Sequence, residues 1–257
     1  MSILSDGRLL YVPSLERELW NVVDGATGSV VATVVTDSGA HNTVCGLSGR
    51  WMYLAGLRSP LLSVADTQTH RVVRTVGRFS APIRPFTVNG AETRCYVCVN
   101  ELLGFEIGDL KSGKVLSRTV VLGFDKGPVA RHGCPSHGIG LTPDEKEIWL
   151  CDSHNQRLHV FDVSSTKPRQ IASVVLRDEP GWVTFGVDGK YAYSSTGEVI
   201  DAGQRRVVAQ LTDEKGRAVA SEKMLEIDFA DGRPTAAGDQ FGVGRVQHDS
   251  PVQDEPR

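Results

Sequence analysis

The chain has 257 residues, 40% hydrophobic and 23% charged, with a formal net charge of −3 and a pI near 6.2. That length can bury a large core, and nothing in the composition divides it into domains. The absence of any Lys/Arg block speaks against a nucleic-acid or anionic-membrane partner, and no apolar run reaches the roughly 18 residues that a membrane-spanning helix needs.

In chain order, Met1 to Leu4 reads as the end of a strand leading into an Asp6-Gly7 turn, and strands follow near 9–13, 19–24 and 30–35. The next set falls near 41–47, 51–55, 61–65 and 71–76, and a third near 84–88, 94–99, 103–107 and 114–121. A fourth covers 137–141, 147–151, 157–162 and 170–176, and a fifth 181–185, 190–194 and 206–211. Lys223 to Phe229 and Gln240 to Val246 read as two strands flanking an Asp231-Gly232 turn, with a polar, disordered tail over 247–257. These segments are short, rich in β-branched and aromatic residues, and bounded by Gly, Asp, Ser and Pro. No lasting i, i+3, i+4, i+7 stripe marks a helix. The short gaps suit antiparallel hairpins, because parallel strands need a crossover connection.

The segments repeat. Leu10-Tyr11-Val12, Met52-Tyr53-Leu54, Cys95-Tyr96-Val97, Ile148-Trp149-Leu150 and Tyr191-Ala192-Tyr193 succeed one another at steps of 42, 43, 53 and 43 residues. In phase with them, Asp24, Asp66, Asp109, Asp162 and Asp201 each close an apolar stretch. An all-strand period of roughly 40–45 residues is the signature of a β-propeller with one four-stranded blade per repeat. The expected fold is therefore all-β: a β-propeller of four-stranded antiparallel blades, five nearly complete and a sixth partial, forming one domain over 1–246. No N-terminal strand is left to complete the last blade, so the chain reads as part of a longer, seven-bladed ring.

The segments SDGRLLYVPS, TPDEKEIWLCDSHNQRLHVFDVSS and VDGKYAYSS resemble the YVTN-type propeller repeat over about residues 3–211. That resemblance implies the propeller fold and an exported parent protein, periplasmic or extracellular, although no signal peptide stands at the start of this sequence. It leaves function open, since propellers of this type include enzymes, haem-binding domains and plain binding modules.

The five cysteines are odd in number, and Cys95 and Cys98 lie on one expected strand with their sulfurs on opposite faces, so they read as buried free thiols. His159 alternates with Leu158 and Val160 and reads as a sheet residue. Chemistry is expected at the channel mouth, where the first strand of each blade begins and the loops after the second strands open. This places His41, Asn42, Arg84, His132, His137, His154, Trp182 and Glu222 on one face as candidate ligand-binding residues. The 53-residue step puts its extra length at about Gly123 to Ser136, a long loop carrying Arg131, His132 and Cys134. His41, His132 and His137 are the candidate ligands of a divalent metal ion, with Glu222 or His154 nearby, and Arg84 would neutralise an anionic substrate. Two readings follow: a scaffold that presents this face to a small ligand or a partner protein, or a metal-assisted lyase or hydrolase at the channel mouth. No H-E-x-x-H, P-loop, G-x-S-x-G or G-x-G-x-x-G motif occurs.

Overall fold

The Asp that closes each apolar stretch builds the turn that follows it. Asp24 Oδ1 accepts from the backbone N–H groups of Ala26 (3.1 Å) and Thr27 (2.8 Å), and Asp66 does the same for Gln68 and Thr69 (2.9 Å each). Asp109 accepts from Lys111 and Ser112, Asp162 from Ser164, and Asp201 from Gln204. A side-chain oxygen bonded two or three residues ahead mimics a backbone turn and fixes the reversal. These bonds hold the Asp24, Asp66, Asp109 and Asp162 carboxyls below the usual carboxylate range.

The structure, a computed structural model, describes residues 1–4, 6–221 and 224–238. Among them every regular element is a strand. Blade one comprises β1 (Ser2–Ile3), β2 (Leu9–Ser14), β3 (Leu19–Asp24) and β4 (Val30–Val35); blade two, β5 (Ala40–Cys45), β6 (Trp51–Gly56), β7 (Leu62–Asp66) and β8 (Arg71–Val76). Blade three comprises β9 (Ile83–Val88), β10 (Arg94–Val99), β11 (Gly104–Asp109) and β12 (Val115–Val120); blade four, β13 (Ile139–Leu141), β14 (Glu147–Asp152), β15 (Arg157–Asp162) and β16 (Arg169–Val175). Blade five comprises β17 (Val183–Phe185), β18 (Tyr191–Ser194), β19 (Glu198–Asp201) and β20 (Arg206–Gln210), and a hairpin of β21 (Ile227–Ala230) and β22 (Arg233–Ala237) follows. Within each sheet, neighbours in sequence are neighbours in space and antiparallel. The result is a propeller-like arrangement of five four-stranded blades and a two-stranded partial one.

Two details depart from the sequence expectation. β19 was not among the expected strands. Its first residue, Glu198, breaks the apolar pattern yet is buried, with its carboxylate 2.5 Å from the hydroxyls of both Ser194 and Thr196. The partner of β21 starts at Arg233, not at Gln240. Asp231 and Gly232 both have positive φ (51° and 73°), the geometry of a two-residue hairpin turn, so pairing resumes at once with Ala230 opposite Arg233. Residues 240–246 and the expected tail at 247–257 lie outside the described residues.

Alternation along the second strand of each blade builds the core. Tyr11, Tyr53, Tyr96 and Trp149 project forward onto the following blade, and Met52/Leu54, Cys95/Val97, Ile148/Leu150 and Ala192 project to the rear onto the preceding one. The four core clusters are thus the four blade-to-blade interfaces. Cys95 lies in the interface behind blade three and Cys98 in the one ahead of it, so their sulfurs face opposite ways. All five thiols are free. Between the third and fourth strands of every blade the register slips by one residue, at Val22/Val23, Val64/Ala65, Ile107/Gly108, Val160/Phe161 and Val199/Ile200. A bulge at the same place in each repeat adds the local twist that a blade requires.

Two polar devices join the blades. At the face bearing the Asp turns, Glu92 accepts from Ser48 N–H (2.8 Å) and Tyr53 O–H (2.8 Å) of the preceding blade, and Glu145 from Gly90 N–H (2.5 Å). Both glutamates have positive φ, at the turn position that Gly49 and Gly189 occupy in other blades. Near the other end, the residue three before each strand-closing Asp is polar. Glu106 accepts from Ser80 N–H (2.9 Å) and Glu198 from Arg177 N–H (2.7 Å), so each fastens the linker arriving from the preceding blade. His159 takes this place in blade four, where its ring meets Phe124 of the long linker at 4.8 Å. Its Nε2–H donates to Asp152 Oδ2 (2.9 Å), and its Nδ1 is hydrogen-bonded to the Ser173 hydroxyl (3.1 Å). The Ser173, His159 and Asp152 chain therefore occupies a linker-fastening position of the repeat, as the sheet reading of His159 expects.

Candidate functional site

The site lies where the first strands of blades three, four and five begin. Arg84 is the second residue of β9. Its Nε–H donates to Asn100 Oδ1 (2.6 Å), at the end of the second strand of the same blade, and Nη2–H to the carbonyl of Gly133 (3.1 Å) on the long linker. The guanidinium is thereby held by its own blade on one side and by the loop on the other. A guanidinium carries five N–H donors in a rigid plane; these two bonds use two of them. No carboxylate among the described residues pairs with Arg84, whereas Arg58, Arg131, Arg205 and Arg217 all have one.

The long linker, residues 121–138, is bound down at intervals. Leu122 exchanges two hydrogen bonds with the Gln170 side chain (2.8 and 3.3 Å), Lys126 pairs with Glu101, Asn155 Nδ2 donates to Asp125 O (2.9 Å), and Arg131 pairs with Asp178 (3.4 Å). The Ser136 hydroxyl, fully buried, accepts from Gly104 N–H (3.1 Å). Cys134 is buried beside it, its thiol directed at Ser136 O, and burial pushes its pKa up to about 12, which disfavours the thiolate.

The loop delivers His132 to His137. The two rings stack with centroids 5.1 Å apart and planes 25° apart, and His137 meets the edge of Trp182 at 6.1 Å. His137 Nδ1 donates to Gly181 O (3.1 Å). Gly181 has its own N–H bonded to Ser195 Oγ (2.8 Å), and a Cβ there would fall inside the His132 ring. Any larger residue at 181 would have to displace the His132 ring. Trp182 is only 3% exposed and joins the core cluster of blades two and three, so its indole is packed into that core behind His137.

The sequence candidates therefore sort into groups. Arg84, His132, His137 and Trp182 are brought together from the start of blade three, the long linker and the approach to blade five. Asn42 is buried in β5, and His41, also in β5, belongs to blade two. His154 is exposed and lies against Gly127 of the long linker, where a Cβ would enter its ring. Glu222 lies outside the described residues. Among the described residues no three His, Cys, Asp or Glu side chains are placed to hold a metal ion, and Glu222 of the expected metal set lies outside them. His132 and His137 are near-parallel, so their in-plane nitrogens do not converge on one point, and His41 enters from another blade. Asn100, Gly133 and Gly181 are the residues that the candidate set lacked. A signal for the two glycines exists in hindsight, since both directly neighbour a candidate, but their role is steric and leaves no chemical mark.

No protein-family model and no curated protein matches the chain.

Proposed function

We propose that this protein is a binding module whose channel mouth takes a small ligand bearing a carboxylate or phosphate, seated between Arg84, His137 and Trp182. The observation that carries the reading is Arg84, a half-buried guanidinium fixed by Asn100 and Gly133 with three N–H donors left over and no carboxylate partner among the described residues. A fixed cation away from bulk water attracts an anion, and the planar fork matches a carboxylate or phosphate with two parallel bonds. The stacked, half-buried imidazoles supply a flat wall for the rest of the ligand, with the Trp182 indole packed behind His137. The metal-assisted lyase or hydrolase alternative has no ligand set among the described residues to support it. The repeat's resemblance to YVTN-type propellers is compatible with a binding module and selects no ligand.

The test is isothermal titration of acetate, succinate and inorganic phosphate into the full chain and an Arg84→Gln variant. Binding of at least one anion, weakened about tenfold or more in Arg84→Gln, is the expected result. Equal affinity in the two proteins overturns the assignment.

A further inference from the structure

At the end bearing the Asp turns, the junctions between blades have a recurrent occupant. Glu92 accepts from Ser48 N–H (2.8 Å), Glu145 from Gly90 N–H (2.5 Å) and, after blade five, Glu226 from Val187 N–H (2.6 Å). In each case the first turn of one blade receives a carboxylate from the chain that follows it. Glu92 and Glu145 stand in turns and Glu226 on the approach to β21, so what recurs is the carboxylate and not its place in the repeat. Between blades four and five Pro143 stands at the place of Gly90. It has no N–H to offer, and it packs against Gly189, where a Cβ would lie 3.0 Å from its ring.

The junction between blades one and two follows neither pattern. Gly49 stands where Glu92 and Glu145 do, and Tyr11, the equivalent of Tyr53, shares a hydrogen bond with His70 Nδ1 (2.7 Å) where Tyr53 has a carboxylate. A recess of about 420 Å³ opens there, within the size range of small-ligand sites. Leu4 stands at the place of Gly46, where a Cβ would fall on the Glu92 carboxylate, so a leucine closes the deep end and the outer part is open.

That outer part carries positive charge. Among the described lining residues the charged ones are Asp6, Arg8 and Arg50, with His70 beside them. Asp6 is taken by Arg8, accepting from its Nε–H (2.7 Å) and its backbone N–H (3.0 Å). Arg50 is the excess cation. It is exposed and lies over the Trp51 ring at 4.7 Å. Its nearest carboxylate among the described residues, Asp66, is 3.9 Å from Nε, beyond hydrogen-bond reach, and serves its own turn.

We propose that this recess binds a small carboxylate, held between Arg50, Arg8 and His70 against Leu4, in the junction that lacks a glutamate of its own. A guanidinium meets a carboxylate with two parallel N–H bonds. The recess is at the opposite end of the blades from Arg84, so the two sites are separate.

The test is titration of succinate into ¹⁵N-labelled Arg84→Gln protein, in which the channel mouth does not contribute, followed at the backbone N–H signals of Gly49 and Thr67. A saturable shift is expected, weakened about tenfold or more when Arg50→Gln is added. Adding Gly49→Glu instead should abolish it, because the new side chain supplies the carboxylate. Glu92 and Glu145 hold φ of 52° and 59° at this turn position against 66° for Gly49, so the backbone accepts a glutamate. If the Gly49→Glu protein does not fold, the comparison with Arg50→Gln, an exposed residue, decides alone. Signals that do not saturate, equal affinity with and without Arg50→Gln, or binding that a folded Gly49→Glu protein retains would each overturn the proposal.

Discussion

The two ends of the blades follow opposite rules. At the end bearing the Asp turns, one arrangement recurs: an Asp bonded to the N–H groups two or three residues ahead, five times over. At the channel mouth, beyond the residue that fastens each linker, almost nothing recurs. Blade three contributes an arginine, the following linker two histidines and a carbonyl, and the approach to blade five a tryptophan. The comparison teaches where to look in a repeat protein. Positions that repeat hold the blades together, and positions that differ are free to be spent on a ligand.

The largest test of that division is at the repeated forward aromatic. Trp149→Ala empties a fully buried site between blades four and five and should cost about 3–5 kcal/mol in urea unfolding. Tyr193→Ala, at the equivalent place in blade five, is half-buried and should cost clearly less. Equal losses would mean that Tyr193 is packed as fully as Trp149, against the difference in burial.

Next in size is the glutamate clasp. Glu92→Ala leaves Ser48 N–H and Tyr53 O–H of the neighbouring blade without their acceptor and should cost about 1–3 kcal/mol. It should leave anion binding unchanged, because the clasp is at the opposite end from Arg84. A variant of wild-type stability would show that water replaces the carboxylate without loss.

The Asp turns give a pH dependence whose sign is fixed. Asp24, Asp66, Asp109 and Asp162 are held below their ordinary values by the N–H and hydroxyl groups of their own turns. A carboxyl depressed in the folded state adds stability above its unfolded pKa, near 3.9, and loses it as pH falls through the lower folded value. Stability should therefore be flat across these groups near neutrality and decline below about pH 4. An Asp162→Asn variant should flatten that decline. An unchanged slope would remove this turn from the account.

The smallest expected effect on stability is at the mouth. Arg84 forms two hydrogen bonds at a half-buried place, and Arg84→Gln should shift stability by about 1 kcal/mol or less while removing anion affinity. A large loss of stability with binding intact would invert the comparison.

The contrast also explains what the sequence reveals. The blades are legible because a strand pattern and its closing Asp recur at one period, so two markers reinforce each other. β19 was hidden because Glu198 is buried and satisfied by hydroxyls, which no hydrophobic pattern shows. At the mouth, the residue types of Arg84, His132, His137 and Trp182 and their places after linkers were enough to select them. Their mutual geometry was not, since it depends on Gly181 making room for His132 and on the linker folding back to place Gly133 O against Arg84. Three imidazoles on one face suggested a metal, yet the stacking of two of them is a tertiary fact with no sequence counterpart.

The central claim is that Arg84 is poised for an anion. It is tested most directly by following the Nε–H resonance of Arg84, identified by its loss in Arg84→Gln, in protein labelled with ¹⁵N-arginine during titration with succinate and with inorganic phosphate. The account predicts a saturable shift of that resonance with at least one of the two, while the Nε–H signals of the carboxylate-paired Arg8 and Arg217 stay in place. A resonance that does not move, or that moves no more than those of the paired arginines, would contradict it.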